Sequence, residues 1–116
     1  MTPEKLENRL IEFASRIIDL VEVLPKRASA KHLGGQLLRS GTSPALNYGE
    51  ARGAESNSDF IHKLKVSLKE LRETHICLRI IAKRKWFLDE RLIPLISENN
   101  ELISIFVTSI KTGSKK

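Results

Sequence analysis

Residues 39–53 read RSGTSPALNYGEARG, and the fold turns on whether this stretch is a turn or a helix. Glycine and proline usually punctuate turns. Here, however, Leu33, Leu37, Ser40 with Gly41, Pro44, Tyr48 and Ala51 keep a helical beat of three- and four-residue steps straight through the segment. A loop would reset that phase. The spacing therefore predicts one helix over roughly residues 27–53, kinked near Pro44, which lacks an N–H and whose ring crowds the Ser40 carbonyl. Ser40, Thr42 and Ser43 are the expected partners of the freed backbone groups. Gly34, Gly35, Gly41 and Gly49 each weaken a helix by roughly 1 kcal/mol relative to alanine, so close approach of a neighbouring helix is the expected reason for them.

Three more helices flank this one. Thr2-Pro3-Glu4 combines a capping hydroxyl, a first-turn proline and an early carboxylate. From there Leu6, Leu10, Phe13, Ile17, Leu20, Val21 and Leu24 form one apolar stripe that ends at Pro25. The capping cluster Ser56-Asn57-Ser58-Asp59 opens a third helix with the stripe Phe60, Leu64, Leu68, Leu71, His75, Leu78 and Ala82. A fourth, capped near Asp89, carries Leu92, Leu95, Ile96, Asn99, Leu102, Ile103, Phe106, Val107 and Ile110, with Pro94 disturbing its first turn. No stretch alternates with period two and the connections are short. The expected fold is all-α: an antiparallel up-and-down four-helix bundle filling residues 1–116 as one domain, with a frayed tail from about residue 112.

The composition excludes several functions. No run of about 18 apolar residues and no signal-peptide pattern occurs, so a cytoplasmic protein without a membrane partner is expected. The single cysteine, Cys77, forms no internal disulfide, and no ligand-spaced His or Cys set accompanies it, so neither a metal nor a cofactor is expected. The net charge is +6, and its distribution is uneven. Residues 1–24 hold three basic and five acidic side chains, whereas residues 26–85 hold thirteen Lys or Arg against five Asp or Glu. An anionic partner for the middle of the chain follows if those charges share a face.

They do share one. At 100° per residue, Lys65, Lys69, Arg72, Arg79 and Lys83 fall in a single sector of the third helix, adjacent to its core stripe. The stripe is about 27 Å long and suits a phosphate backbone; Arg84 and Lys85 prolong it, and Lys26, Arg27 and Lys31 extend it from the second helix. The alternative is a solvated face with local pairs to Glu70 and Glu73. Trp86 and Phe87, after three cations, either stack an unpaired base or close the end of the core. On the same wheel Val66, Cys77, Ile80 and Ile81 form a second apolar strip, which implies another buried contact: a subunit contact in a homo-oligomer or, alternatively, packing against the chain ends.

Catalytic arrangements find no support. The Ser- and Gly-rich segment has no preceding strand and no Gly-Lys-Ser/Thr ending, so it is not a phosphate loop. Cys77 falls on an apolar side, His75 is expected as a hydrogen-bonded core histidine, and His32 and His62 stand alone. Asn47 and Glu50, one turn apart on the second helix, match Ser67 and Glu70 on the third, and the four are expected to form a structural polar network. An enzyme built on Asn47, Glu50 and Glu70 is the remote alternative.

These residues carry a resemblance. Gln36-Leu37-Leu38-Arg39-Ser40, then Asn47-x-x-Glu50, Phe60-Ile61, and Ser67-x-x-Glu70-Leu71 resemble the pattern of the small four-helix bundle proteins encoded within intervening sequences of bacterial 23S rRNA genes. At the level of helix order the resemblance covers roughly residues 6–110. It departs at Gly49, where that family usually has a small apolar residue, and at Ala51-Arg52, where it often has glycine. The resemblance implies a ring-like homopentamer, and a likeness to the accessory subunits of diversity-generating retroelements, which bind nucleic acid and a reverse transcriptase. It implies binding without catalysis, with the basic stripe as the nucleic-acid face. An adaptor that docks a polymerase or other enzyme is the alternative.

Overall fold

The computed structural model describes residues 1–115, in four helices: α1 (Pro3–Glu22), α2 (Ala28–Arg52), α3 (Asn57–Arg84) and α4 (Asp89–Ser114). Links of four or five residues force each helix antiparallel to the last. The bundle measures 47 × 22 × 20 Å. α1 packs on α2, α2 on α3 and α3 on α4, while α1 and α4 approach more lightly to close the bundle; α1 and α3 lie diagonally, with no close backbone approach. Among the described residues no helix is long and apolar enough to cross a membrane.

α2 runs unbroken through Pro44. Its buried line, Ala30, Gly34, Leu37, Ser40, Gly41, Pro44, Tyr48 and Ala51, is the beat read in the sequence with Ala30 and Gly34 in place of Leu33, which only packs at its edge. The hydroxyls act differently from expectation. Thr42 Oγ1 donates to Leu38 O at 2.6 Å, Ser43 Oγ accepts from Asn47 Nδ2 at 2.8 Å, and Ser40 Oγ accepts from Thr74 Oγ1 of α3 at 2.9 Å. None of these bonds reaches the Ser40 carbonyl that Pro44 frees.

The glycines divide into two kinds. A Cβ on Gly41 would sit 2.8 Å from the Ile17 side chain, and one on Gly34 would sit 2.9 Å from Leu24, so both admit α1 at close range. A Cβ on Gly35 or Gly49 would meet nothing within 4 Å, so close packing inside the chain does not explain those two.

α3 is rotated from the expected stripe. Leu64, Leu71 and Leu78 are buried as read, but the rest of the buried line is Ile61, Ser67, Thr74, Cys77 and Ile81. Phe60, Leu68 and Ala82 only pack at its edge, and His75 is half-buried. α4 begins at Asp89 and runs on through Pro94, its sixth residue, whose missing N–H leaves the carbonyl of exposed Glu90 without its helical donor. It also continues through the expected frayed tail to Ser114: Gly113 is buried against Ile61 and its carbonyl accepts from Asn57 Nδ2 at 3.1 Å. Across the lighter α1–α4 seam, Arg9 grips Glu98 in a two-pronged ion pair at 2.7 Å and also pairs with Glu101.

Two tests follow. Gly41→Ala drives a methyl into Ile17 and should destabilise by about 1–3 kcal/mol, whereas Gly35→Ala, in open space, should stabilise by about 0.5–1 kcal/mol; urea denaturation separates them. The hydrogen bonds from Arg9 hold the Glu98 carboxyl below the usual carboxylate range. A depressed carboxyl stabilises the fold above its unfolded value, and that stability is lost as pH falls through the lower folded value. The melting-temperature gap between wild type and Arg9→Met should therefore be largest near neutral pH and shrink below about pH 4.

Candidate nucleic-acid interface

The outward face of α3 is set by what its inward face holds. Thr74 is fully buried, and its Oγ1 lies 2.9 Å from both Ser40 Oγ and Glu70 O, which share its single proton. Lys65 and Lys83 lie nine residues to either side of Thr74, which at 100° per residue is a half-turn away on the wheel. The cationic stripe is thus opposite the core rather than adjacent to it. Lys65, Lys69, Arg72, Arg79 and Lys83 are all exposed, and among the described residues none forms an ion pair with an acid.

The acids expected to neutralise that stripe are engaged elsewhere. Arg39 of α2 donates to Glu70 at 2.5 Å, pairs with Glu73, and donates to Gln36 Oε1 at 3.2 Å. Glu70 and Glu73 therefore belong to the α2–α3 seam, leaving the stripe's field uncompensated on its own helix.

At the C-terminal end of α3 the cations cluster with aromatic rings. Arg84 from α3 and Arg27 from the start of α2 each place a guanidinium 5.9 Å from the Trp86 ring centroid. This contact brings Arg27 beside Arg84 at the C-terminal end of α3. Trp86 and Phe87 are partly buried and pack against the core, so they close the bundle end, and Trp86 is occupied by two cations rather than open for a base. Lys85 caps α3 with φ 58°, a left-handed position that favours glycine, and reaches Asp89 at 3.4 Å.

Two expected groupings do not form. Asn47, Glu50, Ser67 and Glu70 make no hydrogen bonds to one another among the described residues. Asn47 Nδ2 bonds back to Ser43 O at 3.1 Å, Glu50 pairs with Lys63 at 3.2 Å, Ser67 Oγ donates to Lys63 O at 3.0 Å, and Glu70 takes Arg39. The strip Val66, Cys77, Ile80 and Ile81 is likewise not one surface. Cys77 is 6% exposed and Ile81 0%, both inside the protomer core, and Val66 is half-buried; only Ile80 faces solvent, beside the exposed Ile76. The Cys77 thiol donates to Leu33 O at 3.8 Å, and burial pushes its pKa up, which makes it a poor nucleophile.

Ser40 lies on the beat read in the sequence, but its buried partner Thr74 escaped that reading; Asn99, read on the α4 stripe, is fully buried and donates to Leu71 O at 3.1 Å. His75 is not the hydrogen-bonded histidine expected: its Nδ1 has no protein partner. A signal for Thr74 existed in its seven-residue spacing from Ser67 and Ile81. Among the described residues no cluster of His, Cys, Asp and Glu is placed to hold a metal ion. Thr74→Val strands the Ser40 hydroxyl and should cost about 1–3 kcal/mol. The double variant Ser40→Ala/Thr74→Val should cost less than the sum of its parts in urea denaturation.

The profile of the family described as 23S rRNA-intervening sequence protein matches residues 5–108. The crystal structure of a protein of unknown function from the S23 ribosomal protein family of Bacteroides thetaiotaomicron superposes with a TM-score of 0.87 at 32% identity, covering 96% of this chain and 99% of that one. No curated protein matches.

Proposed function

Because the chain belongs to the 23S rRNA-intervening sequence protein family, we propose that it is a non-enzymatic homo-oligomer that binds nucleic acid, structured RNA above all, through the outer face of α3. The observation that carries this reading is the row Lys65, Lys69, Arg72, Arg79 and Lys83, exposed and unpaired with any acid among the described residues while Glu70 and Glu73 are held by Arg39. Arg84, Lys85 and Arg27 lengthen the row at one end. The family's link to an rRNA gene supports RNA as the anion.

Contacts would fall mainly on phosphates, since a straight row of long cations on one helix offers charge without a fork aimed at base edges. Assembly as a homopentamer, the state the resemblance implies, multiplies weak contacts through avidity. Exposed Ile76 and Ile80 within the row favour a second reading, an adaptor surface for a polymerase or other enzyme, because isoleucine adds nothing to a phosphate contact.

Fluorescence anisotropy with labelled duplex and single-stranded RNA and DNA across a salt series tests the proposal. Affinity should fall steeply with salt, the slope gaining about 0.9 for each duplex phosphate neutralised. Lys65→Glu/Lys69→Glu/Arg72→Glu should weaken binding at least tenfold with its fold and assembly intact. If wild type ignores every probe at low salt, the row is a solvated face and the adaptor reading replaces this one.

A further inference from the structure

We infer that the row on α3 is divided, and that its C-terminal half, Ile76, Arg79, Ile80 and Lys83, receives the outer face of α1 from a second copy of the chain. The inference rests on the homo-oligomer reading above and names the two surfaces that meet.

The two halves of the row differ in chemistry. On the N-terminal half, Lys65, Lys69 and Arg72 stand with no exposed large hydrophobic residue among them. On the C-terminal half, Ile76 is 51% exposed and Ile80 42% exposed, and with Arg79, Ala82, Lys83 and Lys85 they line a shallow groove. Two half-exposed isoleucines one turn apart, ringed by cations, ask for an apolar partner that carries negative charge.

That partner chemistry exists on the same chain. Glu4, Ile11, Glu12, Ile18, Asp19 and Glu22 occupy one outward sector of α1, on the side away from buried Leu6, Phe13, Ile17 and Leu20. Ile11 is 54% exposed and Ile18 39% exposed, seven residues apart along one edge of that sector, with the acids beside them. The four acids are exposed and form no ion pair among the described residues. Acids border isoleucines on α1 as cations border isoleucines on α3.

One chain cannot bring these faces together. α1 and α3 are diagonal in the bundle, so their outer faces point to different sides. The complementary patches can meet only between copies, and because they are different patches the contact is heterologous, propagating to a ring where the rotation closes. Charge also selects this pairing. Copies carrying +6 repel each other unless an acidic face meets a basic one, and α1 presents the acidic face with isoleucines along its edge. Lys65, Lys69 and Arg72 remain outside the contact and open to phosphate.

Sedimentation velocity on the full chain at low salt, with circular dichroism to confirm folding, tests the pairing. Wild type should associate, and Ile11→Asp/Ile18→Asp and Ile76→Asp/Ile80→Asp should each weaken association at least tenfold. Mixed at equal concentration, these two variants should form one-to-one dimers and nothing larger, since one intact α1 face meets one intact α3 face. Should an aspartate variant misfold, Glu12→Lys/Asp19→Lys/Glu22→Lys and Arg79→Glu/Lys83→Glu replace it: each alone should dissociate, and the chain carrying all five changes should reassociate. A wild type that stays monomeric, a mixture that stays monomeric, or a five-fold variant no better than its halves overturns the inference. Lys65→Glu/Lys69→Glu/Arg72→Glu should keep wild-type association while losing nucleic acid; if it dissociates, the division of the row is wrong. If association behaves as stated but wild type binds no nucleic acid, the subunit contact stands and the nucleic-acid reading fails.

Discussion

The structure depends on seating α2 against two neighbours at once. Toward α1, Gly34 and Gly41 remove the side chains that would strike Leu24 and Ile17. Toward α3, Ser40 meets Thr74 in a bond wholly withdrawn from water. A small residue on one side and a paired hydroxyl on the other let α2 lie deep in the bundle although its sequence, with four glycines and a proline, is poor helix material. Packing supplies what propensity withholds, as is general for helices in folded proteins.

The Ser40–Thr74 bond has a consequence beyond stability. An unpartnered hydroxyl in a core is costly, so Thr74 must face Ser40, and that requirement fixes the rotation of α3 about its own axis. Once Thr74 points inward, residues a half-turn away on the wheel point out, and those are Lys65 and Lys83 with the cations between them. Arg39 then draws Glu70 and Glu73 to the α2 side. The exposed, uncompensated row on α3 follows from how the seam is satisfied.

The same logic explains which parts of the fold could be read from residues alone. α2 was legible because its apolar beat kept phase through Pro44, and α1 because its core line is entirely hydrophobic. The rotation of α3 was not, because Ser67 and Thr74 belong to its buried line and a hydrophobic pattern passes over them in favour of Phe60, Leu68, His75 and Ala82. That error moved Cys77 and Ile81 onto an imagined surface and set the cationic row beside the core instead of opposite it. The row itself was legible, since charges at helical spacing share a face whichever way the helix turns. Asn47, Glu50, Ser67 and Glu70 were correctly seen as polar residues of facing helices, but the sequence does not reveal that Lys63 and Arg39 would claim the two carboxylates.

Most of the polar residues that carry the family resemblance are used up in this seam. Gln36 and Glu70 bind Arg39, Ser40 binds Thr74, Asn47 binds back to Ser43, Glu50 takes Lys63, and Ser67 returns to the Lys63 carbonyl. A side chain committed to an interhelical bond or to its own helix's backbone is poorly placed to act on a substrate or to grip a partner. A motif of this kind reports how two helices are held together. It identifies the bundle, while charge and half-exposed isoleucines on the outer faces of α1 and α3 are free of such internal duties.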